Sequence, residues 1–399
     1  MPQENIENLI RSWNYQQGWN NGPVIQDKLS PEAYGRILTL YNHTWREEVL
    51  GNTFDWGTDS YSVYLPESLY VVSSIYLKIE VPVNSGGAAF KKYPGIYALK
   101  SVRLMSGGTE VYTADQNLFL HDYCESLSEE ALRVFSRAYL GGEETPSATA
   151  RTILIPILLP NSSYMGRAGG THGHGIFPAF LGQSRLELQL SMNQAKNLSS
   201  SADQAPTSIV GKCSIMYHQV EMTEAARRSY SDLRGNYSIV NRRFTELTSG
   251  WQQYESAGSV VHYNQFQPQG TVTEVMFIAC TQDNDDSRHN AVYLLPTSIT
   301  VTVDAVVVKS LETPEKVRAE LWTNGFTPNK DFPSPGRMCF AAHASGSDHL
   351  YSGGYNMRLA STVDFAFTFA ENVSYKIVAS QIQRVTIDAV GKLSASLSS

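Results

Sequence analysis

The stretch THGHG (Thr171–Gly175) sets His172 and His174 two residues apart, the spacing with which a strand turns two imidazoles to one side and toward one metal ion. Three glycines surround the pair, and no third histidine or carboxylate follows at a fitting distance, so the spacing reads as an exposed loop. DNDD (Asp283–Asp286) opens like a calcium loop, but Arg288 stands where the turn glycine belongs and no bidentate glutamate follows. GRAGGTHGHG follows a strand pattern yet leads into Phe177–Pro178 instead of a helix, so it builds no phosphate cradle. No G-x-S-x-G elbow occurs. Glu187 and Asp364 alternate with apolar neighbours, which predicts exposed carboxylates on the polar faces of strands. The residues therefore predict no catalytic centre, no metal site and no cofactor.

The elements around these residues have a period of two. In SRLELQLS (Ser184–Ser191), Leu186, Leu188 and Leu190 alternate with Arg185, Glu187 and Gln189. STVDFAFTF (Ser361–Phe369) repeats the design with Val363, Phe365, Phe367 and Phe369. SSIYLKIEV gives Ile75, Leu77, Ile79 and Val81 one face, and SVRLMSGGTEV predicts a hairpin at Gly107–Gly108. TILIPILLP is apolar on both faces, which predicts a deeply buried strand with Pro156 at a bulge or an edge. Ser298–Val308 reads as one alternating strand through Ile299, Val301 and Val303.

Helical signals are few. Ile6, Leu9, Ile10 and Trp13 make one apolar stripe near the N-terminus. Ser128 is positioned to cap a helix whose face holds Leu132, Phe135 and Tyr139. Thr313 caps another, with Pro314 in its first turn, Val317 and Leu321 on one face and Gly325 past its end.

These signals recur in one order. Ser101 answers to Ser298, Ser128 to Thr313 and Ser184 to Ser361, at slowly shrinking offsets. The chain of 399 residues thus reads as one β-rich unit written twice. A parallel α/β sheet needs a helix between most strands, and that is absent. The expected fold is all-β: two tandem eight-stranded antiparallel jelly rolls, each with a short helix in a long connecting loop. The expected boundaries are an N-terminal arm at 1–53, a first roll at 54–222, a linker at 223–235 and a second roll at 236–399.

Composition narrows the function. A formal charge of −7 argues against specific nucleic-acid binding, and Arg227–Arg228 and Arg242–Arg243 read as local, solvated linker charges. Cys124, Cys213, Cys280 and Cys339 form no C-x-x-C pair and predict buried, reduced thiols. The opening residues lack a secretory pattern, so the N-x-[ST] sequons, Asn42, Asn197 and Asn372 among them, read as chance. Abundant tyrosine (22 copies) and long Gly/Ser/Asn loops supply adaptable contact surface.

Two stretches carry a resemblance to a known family. LLPNSSYMGRAGGTHGHGIFPAFLGQSRLELQL is similar to the first-roll segment of the double jelly-roll major capsid proteins, and CFAAHASGSDHLYSGGYNMRLASTVDFAF to their second-roll segment. In the second, Ser352, Gly353 and Asn356 stand, while Tyr351 replaces the usual proline and one residue is inserted before Asn356. That family builds adenovirus hexons and the shells of large nucleocytoplasmic DNA viruses, virophages and tailless membrane-containing phages. The resemblance spans about residues 54–391. It implies a homotrimeric, pseudo-hexagonal capsomer tiling an icosahedral virion shell, made in the host cytoplasm. The implied partners are other copies of the chain, minor capsid or vertex proteins, and an inner membrane. The rival expectations are a glycan-binding jelly-roll attachment protein or lectin, and a cupin-like metal enzyme using His172 and His174.

Overall fold

A computed structural model of the chain describes residues 41–55, 60–65, 70–81, 95, 98–115, 151–157, 184–193, 210–222, 237–265, 267–281, 294–323, 335–340 and 354–397. The N-terminal stripe, the helix expected from Ser128 and the 223–235 linker lie outside these residues.

Eight strands make the first roll: β1 (Tyr41–Asp55), β2 (Ser60–Tyr64), β3 (Tyr70–Val81), β4 (Leu99–Ser106), β5 (Thr109–Asp115), β6 (Arg151–Ile157), β7 (Leu186–Met192) and β8 (Val210–Met222). They form two four-stranded antiparallel sheets, β1-β8-β3-β6 and β2-β7-β4-β5. First pairs with last and second with seventh, as a jelly roll requires. The inward positions are apolar: Ile75, Leu77, Ile79, Ile153, Ile155 and Ile215 from one sheet, and Val63, Val102, Leu104, Leu188 and Leu190 from the other, are all buried.

After β9 (Tyr237–Glu246) the pattern repeats in β10 (Gln252–Tyr254), β11 (Val261–Tyr263), β12 (Thr271–Cys280), β13 (Ser298–Val303), β14 (Val306–Leu311), helix α1 (Pro314–Thr323), β15 (Gly336–Cys339), β16 (Tyr355–Asn356), β17 (Val363–Thr368), β18 (Val373–Ile387) and β19 (Leu393–Leu397). The sheets run β10-β18-β12-β15 and β11-β17-β13-β14, with β16 added on β12 and β9 and β19 on β18. This is the order of the first roll, strand for strand. Ser101 and Ser298 lie on equivalent strands, β4 and β13, and Ser184 and Ser361 lead into the equivalent β7 and β17.

The second core is rich in rings. Phe365, Phe367 and Phe369 are fully buried. Phe367 meets Tyr375 at 4.9 Å, Phe277 at 5.4 Å and Phe369 at 5.7 Å between centroids. The Tyr254 hydroxyl donates to the Ser259 carbonyl at 2.6 Å and accepts from the Phe369 N–H, so its polar end is satisfied at the rim of the core.

Helix α1 begins as its residues dictate: the Lys316 N–H donates to Thr313 Oγ1, and Val317 and Leu321 are buried. Glu320 on the same helix accepts from the backbone N–H of Cys339, and Lys309 Nζ donates both to Glu320 and to the Cys339 carbonyl. A side-chain pair thereby satisfies the two backbone groups of Cys339 at the edge strand β15.

Four expectations change. Ser298–Val308 is a hairpin, not one strand, because Asp304 and Ala305 take φ of 47° and 65°. Asp304 holds that turn, its carboxylate accepting from the Ser361 and Thr362 N–H groups. In β6, burial alternates: Thr152 is exposed and Leu154 half-buried between the buried Ile153 and Ile155, as in the neighbouring β3, since one face of this sheet is turned to the core. Arg242 and Arg243 belong to β9, with Arg243 half-buried, because neighbouring Phe244 and Leu247 draw the strand into the core. Glu187 and Asp364 are half-buried and hydrogen-bonded instead of exposed.

The described residues group into two compact units. β1 starts at Tyr41, inside the stretch read as an arm, and pairs along β8. Arg384–Ser396 group with the first unit. The Gly107–Gly108 turn forms as expected, with φ of 53° and 82°. Gly354 is needed for a different reason, since a Cβ there would lie 2.6 Å from the Val272 carbonyl oxygen.

Candidate assembly surface

Among the described residues no group of three or more His, Cys, Asp or Glu side chains is placed to hold a metal ion. His172, His174, Asp283–Asp286 and Cys124 lie outside the described residues. Cys213, Cys280 and Cys339 are buried free thiols. Burial pushes the Cys213 thiol up to about 12 and raises Cys339 further, so neither is a thiolate near neutral pH. No helix among the described residues is long and apolar enough to cross a membrane.

The polar groups within the sheets hold strands together. Arg337 (β15) donates to Glu274 (β12) at 2.7 Å with both side chains almost wholly buried. In the β11-β17-β13-β14 sheet, His262 Nδ1 lies 2.7 Å from Asp364 Oδ2, linking β11 to β17. The same sheet carries hydroxyl pairs, Ser298 to Thr368 and Thr300 with Ser310. Glu187 accepts from Ser62 and Gln189, which hold its carboxyl below the usual range.

The outer face of the β1-β8-β3-β6 sheet is more varied. Glu47 accepts from Ser214 at 2.6 Å and from Lys78 at 3.0 Å; the Ser214 bond first, then Lys78, lowers its pKa. The bond from Lys78 to Glu47 raises the lysine in turn. Trp45 packs on Tyr76 at 5.9 Å. Trp45 is 52% and Val49 61% exposed, and Arg46, Glu47 and Glu48 between them are exposed as well. The Trp-Arg-Glu-Glu-Val run of this strand has no period of two to mark a buried face, so it carries no strand signal in the sequence. Further large apolar side chains stand in solvent elsewhere, among them Trp322 on α1 and Val306, Val307 and Leu359.

Paired sheets in first-last and second-seventh order, twice in one chain, define a double jelly roll. No family model and no curated protein matches the sequence. Solved structures do match the fold. The PBCV-1 virus capsid model aligns with a TM-score of 0.66 at 11% identity, covering 90% of this chain and 97% of that one. The Faustovirus major capsid protein aligns with a TM-score of 0.64 at 9% identity, covering 87% and 91%. The mavirus major capsid protein aligns with a TM-score of 0.53 at 9% identity, covering 90% of each. The chain shares the double jelly-roll fold of these viral capsid proteins.

Proposed function

We propose that the chain is a viral major capsid protein: a structural, non-enzymatic subunit whose homotrimer forms a pseudo-hexagonal capsomer in an icosahedral virion shell. The observation that carries the proposal is whole-chain correspondence. Both rolls, in tandem, match capsid proteins over nearly the full length of each chain. A trimer of such a chain presents six sandwiches of one strand order, which is how three copies fill a site of pseudo-sixfold outline.

The exposed Trp45, Val49, Trp322 and Leu359 support contact between subunits over recognition of a small ligand. Partners are other copies of the chain and, at vertices or beneath the shell, minor capsid proteins or a membrane. The virion is the proposed location, after synthesis in the host cytoplasm. The lectin and cupin-like readings draw no support from these features. Native mass measurement of purified full-length protein tests the proposal. A species of three chains is expected. A monomer carrying stoichiometric metal that is lost in a His174→Ala variant contradicts it.

A further inference from the structure

Among the described residues, strand β1 ends its sheet. Its register with β8 runs unbroken from Tyr41 to Val49, then shifts at Gly51 and again before Phe54. Bulges blunt an edge strand by twisting it away from further pairing. The later half of β1 is therefore blunted, whereas Trp45–Val49 is regular and exposed on both faces. Among the described residues, β8 is the strand that β1 pairs with.

The side chains of this run are self-complementary under one operation. Lay a second β1 antiparallel to the first, with Glu47 opposite Glu47. Arg46 then stands opposite Glu48 twice, on the face that Tyr217 shares. Trp45 stands opposite Val49 twice, on the other face. Side chains directly opposite in an antiparallel pair have Cβ atoms about 5 Å apart, within reach of ion pairing and apolar contact. The two central glutamates face each other across the axis, and the Lys78 bonded to each at 3.0 Å offsets part of their repulsion. Glu48 accepts the Tyr217 hydroxyl on one oxygen, and a carboxylate has capacity for further donors. Centring the pairing at Trp45 instead would set Arg46 against Thr44 and lose both ion pairs.

We infer that β1 is an assembly edge: β1 strands of two copies pair antiparallel about a twofold axis centred at Glu47, joining two four-stranded sheets into one of eight strands. The contact is isologous, so each β1 edge takes one partner edge and is then closed. It rests on the capsomer reading only for its setting, as a joint between neighbouring trimers; the pairing itself is a property of this edge.

A full-length Glu47→Cys variant tests it, with wild type and Glu47→Ser as controls for native thiols and for loss of the Lys78 bond. Mild oxidation should give a disulfide-linked dimer of chains with Glu47→Cys alone. Charge reversal supplies a second readout. Arg46→Glu places like charges together at two positions and should weaken association between capsomers roughly ten- to a hundred-fold. Adding Glu48→Arg should restore it. Native mass of each variant separates this from the trimer: loss of higher assembly with intact trimers bears on β1 alone. Absence of the crosslink in Glu47→Cys, a dimer from Trp45→Cys in its place, or charge reversal without effect means the edge is covered by something other than a second β1, and overturns the inference.

Discussion

Replacing Phe367 with alanine removes the centre of the second core. The ring is fully buried and packs on three others at 4.9 to 5.7 Å. Burying a phenylalanine contributes about 2–3 kcal/mol, and truncating one to alanine costs roughly 3–5 kcal/mol once the cavity is included. Edge-to-face ring contacts add about 0.5–1.5 kcal/mol each, so Phe367→Ala belongs at the upper end, about 4–5 kcal/mol. Native-state hydrogen exchange read by mass spectrometry is the suitable assay, because it resolves the two rolls separately. Protection in β12, β13, β17 and β18 should fall about a thousandfold, at about 1.4 kcal/mol per factor of ten. Protection in β3, β4 and β7 should hold, because Leu77, Leu104 and Leu188 are buried outside the cluster that surrounds Phe367. A loss below about 1.5 kcal/mol, or an equal loss in both rolls, would refute the claim that each roll is built around its own centre.

Other outcomes follow from the same geometry. Arg337→Met should cost about 3–5 kcal/mol in urea unfolding by stranding Glu274 in the interior, and adding Glu274→Leu should recover most of it. Ala305→Gly should raise stability by about 0.5–1 kcal/mol, because φ of 65° strains any residue with a Cβ; a lower melting temperature would contradict this. The depressed pKa of Glu47 gives a pH dependence of defined sign. Its contribution is present above the ordinary carboxylate value of 4.5 and is lost as pH falls through the lower folded value. Acid unfolding of the first roll should therefore be less steep in Glu47→Gln, which removes the titrating group.

The fold was legible where side chains alternate. Leu186–Leu190 and Val363–Phe369 show the period of two because one face of each strand meets the opposite sheet. The Thr313 cap was equally plain, since a cap and the buried face behind it are local signals. Signals that depend on distant partners were not legible. The Asp304–Ala305 turn contains no glycine and is held by the Ser361–Thr362 backbone, far along the chain. Glu187 and Asp364 look exposed by spacing, yet Ser62 and His262 reach them from neighbouring strands. The β1 edge was hidden for another reason. Self-complementarity between Arg46 and Glu48 has meaning only once the strand is known to end a sheet.

The most direct test of the whole account is electron microscopy of the assembled protein at subunit resolution. Capsomers of sixfold outline are expected, in which three chains supply six sandwich densities, packed in a hexagonal lattice or a closed shell. Single isolated chains that remain dispersed at every concentration, or particles whose repeating unit holds one sandwich per chain, would contradict it.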